Sequence, residues 1–355
     1  MAAYTTIDNP ELYFQTVLYT GNGAANHAIT LPGDEDMQPD FVWIKNRDAT
    51  DSHCLFDAVR GATEVLHADT TAVEATDADT LDSFTSDGFQ VDADVKVNTN
   101  TEKYVAWCWK GGTTSVPSGS SVTSVTCSFS ATAGFGVYKY INLAPGGKVL
   151  AHGLGTIPHF VMVKRSNMTT SWALYHSFIN PSDNTQAGDF YLKLDTNAAR
   201  IDNSGFFSDT LTDATNITFA VDNPVGGASS ILVAHVFAPV QGYSAMGSYV
   251  GNGNADGAFV YTGFRPAFII AKKTSGTGNW FMWDNKRDGS NPETEYLMPN
   301  EANAESTTNN NDLLSNGFKF RSSDADLNAS GGDYIYMAFA EAPFVNSNGV
   351  PCNAR

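Results

Sequence analysis

Two acid–base pairs carry the residue types best suited to gripping a polar ligand. Asp57-Ala-Val-Arg60 is matched by Asp284-Asn-Lys-Arg287, each with a carboxylate three residues ahead of a guanidinium. A guanidinium forks onto two oxygens and a carboxylate accepts from hydroxyls, so either pair could hold a glycan hydroxyl. The competing reading is a local ion pair that fixes a strand end, worth under about 1 kcal/mol if exposed. Trp172 and Trp280 add candidate stacking rings, with Trp43, Trp107 and Tyr243 in the same class. Asp324-Ala-Asp326-Leu-Asn328 begins like a calcium loop with ligands at alternate positions. It lacks the glycine at the sixth position (Ala329) and the glutamate at the twelfth (Ile335), so these are weak calcium candidates beside solvated loop carboxylates.

The signatures of catalysis are missing. The histidines fall in no metal-binding spacing, and no nucleophile elbow or phosphate-cradling glycine loop is present. Paired acids for glycoside hydrolysis need only spatial proximity, but no acid recurs throughout the repeats described next. The expectation is a protein that is not an enzyme and needs no cofactor, with a polysaccharide-active enzyme as the third-ranked reading.

What would position these residues is a threefold internal repetition. Pro39-Asp-Phe41-Val-Trp-Ile-Lys45 returns as Pro158-His-Phe160-Val-Met-Val-Lys164 and as Pro266-Ala-Phe268-Ile-Ile-Ala-Lys272. Twelve residues after each lysine stand Asp57, His176 and Asp284. A Gly-Phe block follows at Gly88-Phe89, Gly205-Phe206 and Gly317-Phe318. Strand-like runs then close each copy at Tyr104–Trp109, Leu232–Phe237 and Tyr334–Phe339. Ordered matches at near-fixed spacing indicate duplication. The shared aromatics are therefore expected to fill cores, and only unshared residues to report on ligands.

Short apolar β-branched and aromatic runs punctuated by Asn-Gly and Gly-Gly turns read as strands, those after Phe41, Phe160 and Phe268 being covered on both faces. The expected fold is all-β: three tandem antiparallel β-sandwich domains, each burying its own core like a bead. The boundaries are an N-terminal docking segment at 1–18, repeats at 19–112, 122–239 and 248–344, and a tail at 345–355. Gly111 to Ser121 reads as a flexible linker.

Composition narrows the partners. A formal charge of −18 leaves no basic stripe to neutralise phosphates, which excludes non-specific nucleic-acid binding. No stretch approaches the apolar length of a membrane span, so no membrane insertion is expected. Met1 to Gln15 lacks the layout of a secretory signal. Cys54, Cys108, Cys127 and Cys352 show no pairing or metal spacing and read as reduced thiols in a cytoplasmically made protein.

Tyr19-Thr-Gly-Asn-Gly23, Pro39 to Arg47, His53-Cys-Leu-Phe-Asp57 with Arg60-Gly-Ala-Thr63, Ser86-Asp-Gly-Phe89 and Tyr104 to Lys110 together resemble an uncharacterised domain. That domain recurs in tail-fibre and other structural proteins of tailed bacteriophages, especially marine and cyanobacterial ones. Tyr336 to Phe344 and Asn353-Ala-Arg355 are similar to the way such proteins end. The pattern is close in the first copy, recognisable in the third and eroded in the second. The resemblance implies a virion protein with a jelly-roll or lectin-like sandwich fold, made in the host cytoplasm, with other virion proteins as partners. The first expectation is a tail fibre or tail-associated adhesin contacting host surface glycan. The alternative is a capsid decoration or cementing protein, in which three domains of one chain cover a quasi-threefold site. A homotrimer would have to form through domain faces, since no coiled-coil heptads are present.

Overall fold

The computed structural model describes residues 3–142, 147–180, 188–203, 205–220, 229–308 and 310–353. Its regular structure is nearly all antiparallel sheet, 45% strand against 4% helix, so most apolar surface is buried between sheets.

Each repeat contributes one large sheet built on the same four strands. In the first copy an opening strand, Phe14–Thr20, pairs with the closing strand Lys103–Trp109. That strand pairs with the lysine-bearing strand Phe41–Asn46, which pairs with Cys54–Asp57. The second copy repeats this order with Phe135–Asn142, Ser230–Phe237, Phe160–Arg165 and Ala173–His176. The third uses Ser244–Val250, Asp333–Pro343, Phe264–Lys273 and Trp280–Asp284. Register is conserved to the residue. Phe41 lies opposite Trp109 and Asp57, Phe160 opposite Phe237 and His176, and Phe268 opposite Phe339 and Asp284. Since a one-residue slip would turn every side chain over, identical register means identical faces.

A three-stranded sheet covers one face of each large sheet: His27–Thr30, Gly88–Val91 and Leu81–Thr85 in the first copy. The counterparts are Lys148–Ala151, Asn216–Phe219 and Phe207–Thr212, then Phe259–Tyr261, Gly317–Phe320 and Asn311–Leu314. These pairings correct the Gly-Phe alignment. Leu150 lies opposite Ile217 where Ile29 faces Phe89 and Val260 faces Phe318. The counterpart of Gly88-Phe89 is thus Asn216-Ile217, and Gly205-Phe206 precedes the hairpin. The glycines at 88 and 317 are required by close approach. A Cβ would stand 2.1 Å from the Ile29 carbonyl oxygen in one and 2.0 Å from that of Val260 in the other. The eroded copy therefore differs in backbone contact as well as in letters.

The alternating faces of the lysine strands divide the core. Val42 and Ile44 point to the first small sheet, while Phe41 and Trp43 point away from it, into an apolar cluster drawn from all three repeats. Ile269 and Ala271 against Phe268 and Ile270 divide the third copy in the same way. At the centre Phe14 stacks on Phe339 at 5.1 Å and Phe41 on Trp109 at 5.1 Å. Trp109 meets Phe237 at 6.1 Å and Phe268 at 5.7 Å, and Phe237 meets Phe339 at 5.9 Å. The strands are covered on both faces as expected, but the second cover is the neighbouring repeats. Independent beads are therefore not what forms.

Two connecting segments are more firmly built in than the sequence suggests. Asn9 caps a short 3-10 turn, Pro10–Leu12, that leads into Phe14, and Thr5, Ile7 and Phe14 are buried. The Thr5 hydroxyl donates to the Gln241 carbonyl, and Asp8 accepts from the Ser347 backbone at 2.7 Å. The segment expected to dock is built into the fold, bracing Gln241 ahead of the third repeat, Gly263 within it and Ser347 beyond it; residues 1 and 2, like 354 and 355 of the tail, lie outside the described residues. The supposed linker is pinned as well, with Thr113 bridged to Phe129 and Ser121 donating to the Val149 carbonyl. Cys54, Cys108 and Cys127 are buried and unbridged, and act as small apolar groups.

Candidate functional site

The chemistry-bearing residues gather in the seams between repeats, and equivalent positions make equivalent contacts around a closed cycle. The outermost contact is backbone. Glu305 N–H donates to the Arg47 carbonyl (2.9 Å), Glu74 N–H to Ser166 (2.9 Å) and Arg200 N–H to Thr274 (3.0 Å). Arg47, Ser166 and Thr274 each stand two residues beyond the repeated lysine. The third repeat therefore donates to the first, the first to the second and the second to the third.

A second layer uses the residue two before Leu55, Leu174 and Met282. Trp172 Nε1–H donates to the His67 carbonyl at 2.8 Å and Trp280 Nε1–H to that of Lys193 at 3.0 Å. His53 holds the corresponding place in the first repeat. Its Nδ1 accepts from the Trp43 indole at 2.9 Å, which leaves Nε2–H to donate to the Met298 carbonyl at 3.1 Å. Burial drives the His53 pKa well below the ordinary histidine value, so this neutral tautomer persists.

The third layer contains the acid–base pairs. Asp57 and Arg60 meet at 2.5 Å with both side chains fully buried, and Arg60 also reaches Glu74 and the Leu55 carbonyl. Asp284 and Arg287 meet at 2.7 Å, equally buried, and Arg287 reaches Glu305 and the Met282 carbonyl. Each aspartate then faces a neighbouring repeat. Trp107 Nε1–H donates to Asp284 at 3.1 Å, and His235 Nε2 stands 3.4 Å from Asp57. Trp107, His235 and Met337 occupy one repeat position. Met337 offers no N–H, and the acid it would have faced is replaced by His176, which donates to the Tyr336 carbonyl at 3.1 Å. Burial would raise the Asp57 pKa, but Arg60 and His235 outweigh it and hold the carboxyl below the usual range.

The repeated lysines lie in the same seams. Lys45, Lys164 and Lys272 are almost wholly buried, and their ammonium groups find backbone carbonyls. Lys164 reaches Thr71 of the first repeat at 3.0 Å and Lys272 reaches Asn197 of the second at 3.5 Å. Burial lowers their pKa values to about 8, 8 and 7.

All six ligand candidates from the sequence (Asp57, Arg60, Trp172, Trp280, Asp284 and Arg287) are thus brought into the seams and buried there. Five of them contact a neighbouring repeat, and Arg60 holds Asp57 and Glu74 within its own. The calcium candidates do not converge either. Asp324 caps the short helix Ala325–Asn328, Asp326 accepts from Asn279 N–H, and the buried Asn328 amide holds the Asn252-Gly253 turn. No group of three or more histidine, cysteine or acidic side chains suited to a metal occurs among the described residues. Sequence reasoning missed His53, His235, Glu74 and Glu305. The lysine recurrence was visible, but not that a repeated lysine would be interior.

Residues 9–343 match the family described as a domain of unknown function, DUF7483, and the chain belongs to that family. No curated protein matches the sequence.

Proposed function

We propose that this DUF7483 protein is a structural component of a tailed-bacteriophage particle, a one-chain trimer that occupies a threefold-symmetric seat. The observation that carries this reading is the closed cycle of equivalent seams. A heterologous interface either closes into a ring or propagates into a filament, and here three copies close it within one chain. The resemblance to phage structural proteins supplies the setting. Burial of every candidate ligand residue in the seams favours a load-bearing block over a string of adhesive beads or an enzyme.

The seat is either a quasi-threefold point of the capsid lattice or the end of a trimeric fibre. Co-sedimentation of the purified chain with empty capsids and with isolated tails distinguishes the two, and antibody labelling of whole virions checks the assignment. The chain should run alone as a 38.1 kDa monomer, because its seams are already filled. Failure to bind either fraction, together with absence from virions, would overturn the proposal.

A further inference from the structure

The unshared residues of the third small sheet form a surface unlike that of its two counterparts. In Phe259–Tyr261 only Val260 turns inward; Phe259 and Tyr261 are 47% and 56% exposed. The equivalent positions are the exposed Ala28 and Thr30 in the first repeat and the half-buried Val149 and buried Ala151 in the second. Two large rings have been placed in solvent in one copy only, so the fold itself does not require them.

Both rings are held. Phe259 Cε2 reaches within 3.1 Å of where a Cβ on Gly317 would lie, so this ring leans along the sheet over the glycine. The Tyr261 hydroxyl lies 3.3 Å from that of Tyr4, which donates to the Gly263 carbonyl at 2.8 Å. Beside the rings runs a charged fringe. Asp256 meets Lys319 at 2.7 Å and Arg321 at 3.0 Å, and Arg321 meets Asp312 at 2.5 Å. Lys319 lies directly opposite Phe259 and Asp312 in the sheet, so rings and fringe share one face.

We propose that this face binds a neutral, hexose-containing glycan. The apolar C–H face of a sugar covers the rings while its hydroxyls bond the carboxylates and cations of the fringe, the usual mix of apolar wall and few placed polar groups. The apolar area of the face suits a small ligand better than a protein partner. An aromatic side chain buries roughly 150–250 Å², so two half-exposed rings offer roughly 200 Å², far short of the roughly 800 Å² per partner of a stable interface. Charge argues against an acidic glycan, since the fringe pairs two acids with two bases and the chain carries −18 overall.

The inference stands apart from the seat on the particle, because the purified full-length chain suffices to test it. Wild type, F259A, Y261A and F259A/Y261A are compared on an array of neutral oligosaccharides, and by calorimetry with a mannan, a β-glucan and a galactan. Binding to at least one neutral glycan is expected, with at least tenfold weakening in the double variant at unchanged melting temperature. Should the double variant melt early, D256N probes the same face from outside the core. Absence of neutral-glycan binding by wild type, or undiminished binding by the variants, overturns the proposal. So does a wild-type dimer in sedimentation that F259A/Y261A abolishes, which would make the face a contact between copies.

Discussion

Trp107 Nε1 and Asp284 Oδ2 meet at 3.1 Å across 177 positions of sequence, joining the first repeat to the third where both are fully buried. Asp284 also holds Arg287, whose guanidinium lies 5.7 Å from the centre of the Trp107 ring. Removing the carboxylate leaves a buried cation with fewer partners, a loss that typically costs about 3–5 kcal/mol. D284A should therefore destabilise the chain by about that much in urea unfolding, and D57A, which strands Arg60 and His235, by a similar amount. Replacing both partners by apolar residues, as in D284L/R287M, should recover part of the loss. Stability of D284A equal to wild type would refute the seam assignment.

The shared aromatic centre predicts how the protein unfolds. Phe268 lies within 6.4 Å of Phe14, Trp107, Trp109 and Phe339, so one ring touches two repeats and the N-terminal brace. F268A should cost about 3–5 kcal/mol, as expected for truncation of a buried aromatic. The loss should appear as a downward shift of one calorimetric transition. Independent beads would instead give several transitions, with only one of them moved.

The sequence showed the sheets better than their assembly. Strand positions followed from the Phe-x-x-x-Lys runs because a strand buried on both faces must be apolar at successive positions, and those runs were. What covers the second face was hidden, since Phe41 and Trp43 read the same whether they fill a private core or a shared one. Asp57 and Arg60 looked like a site because charge is normally exposed. Their burial depends on His235 and Glu74, which no local spacing connects to them. The Gly-Phe match failed in the second copy because the hairpin there places Asn216 against Ala151 without the close glycine approach. Phe259 and Tyr261 went unremarked because neither belongs to a repeated block.

Deleting residues 1–14 distinguishes a brace from a docking tag. The deletion removes Phe14 from the central cluster together with the Thr5 contact to Gln241 and the Asp8 contact to Ser347, which flank the third repeat. A truncated chain should melt at a lower temperature, and F14A alone should reproduce most of the shift at about 3–5 kcal/mol. An unaltered melting temperature would show that the segment contributes nothing to the fold.

Asp324 is a helix cap, and its loss should look like one. Its side chain accepts from Asp326 N–H at 2.7 Å at the start of Ala325–Asn328. D324A should cost about 1 kcal/mol, the usual price of losing an N-cap. Wild type and variant should keep the same melting temperatures with added calcium or with a chelator. A calcium-dependent rise in wild type that D324A abolishes would instead identify the loop as a metal site.

Acid should weaken the seams through the buried histidines. Phe178 N–H donates to His176 Nδ1 and His176 Nε2–H donates to Tyr336, so the neutral ring is satisfied and burial drives its pKa down to about 3. An unfolded histidine titrates near 6.5. Between these values the unfolded chain binds a proton that the folded chain refuses, so stability is full above pH ~6.5 and is lost as pH falls. The slope is about 1.4 kcal/mol per pH unit for each such group. The pKa values of His53 and His235 are lowered in the same direction by burial, which steepens the loss. Urea midpoints measured from pH 7 down to pH 5 should therefore fall. H176Q should unfold with a shallower pH dependence, since one proton-refusing site is gone. A wild-type stability flat over that window, or an unchanged slope in H176Q, would contradict a neutral His176 locked between the second and third repeats.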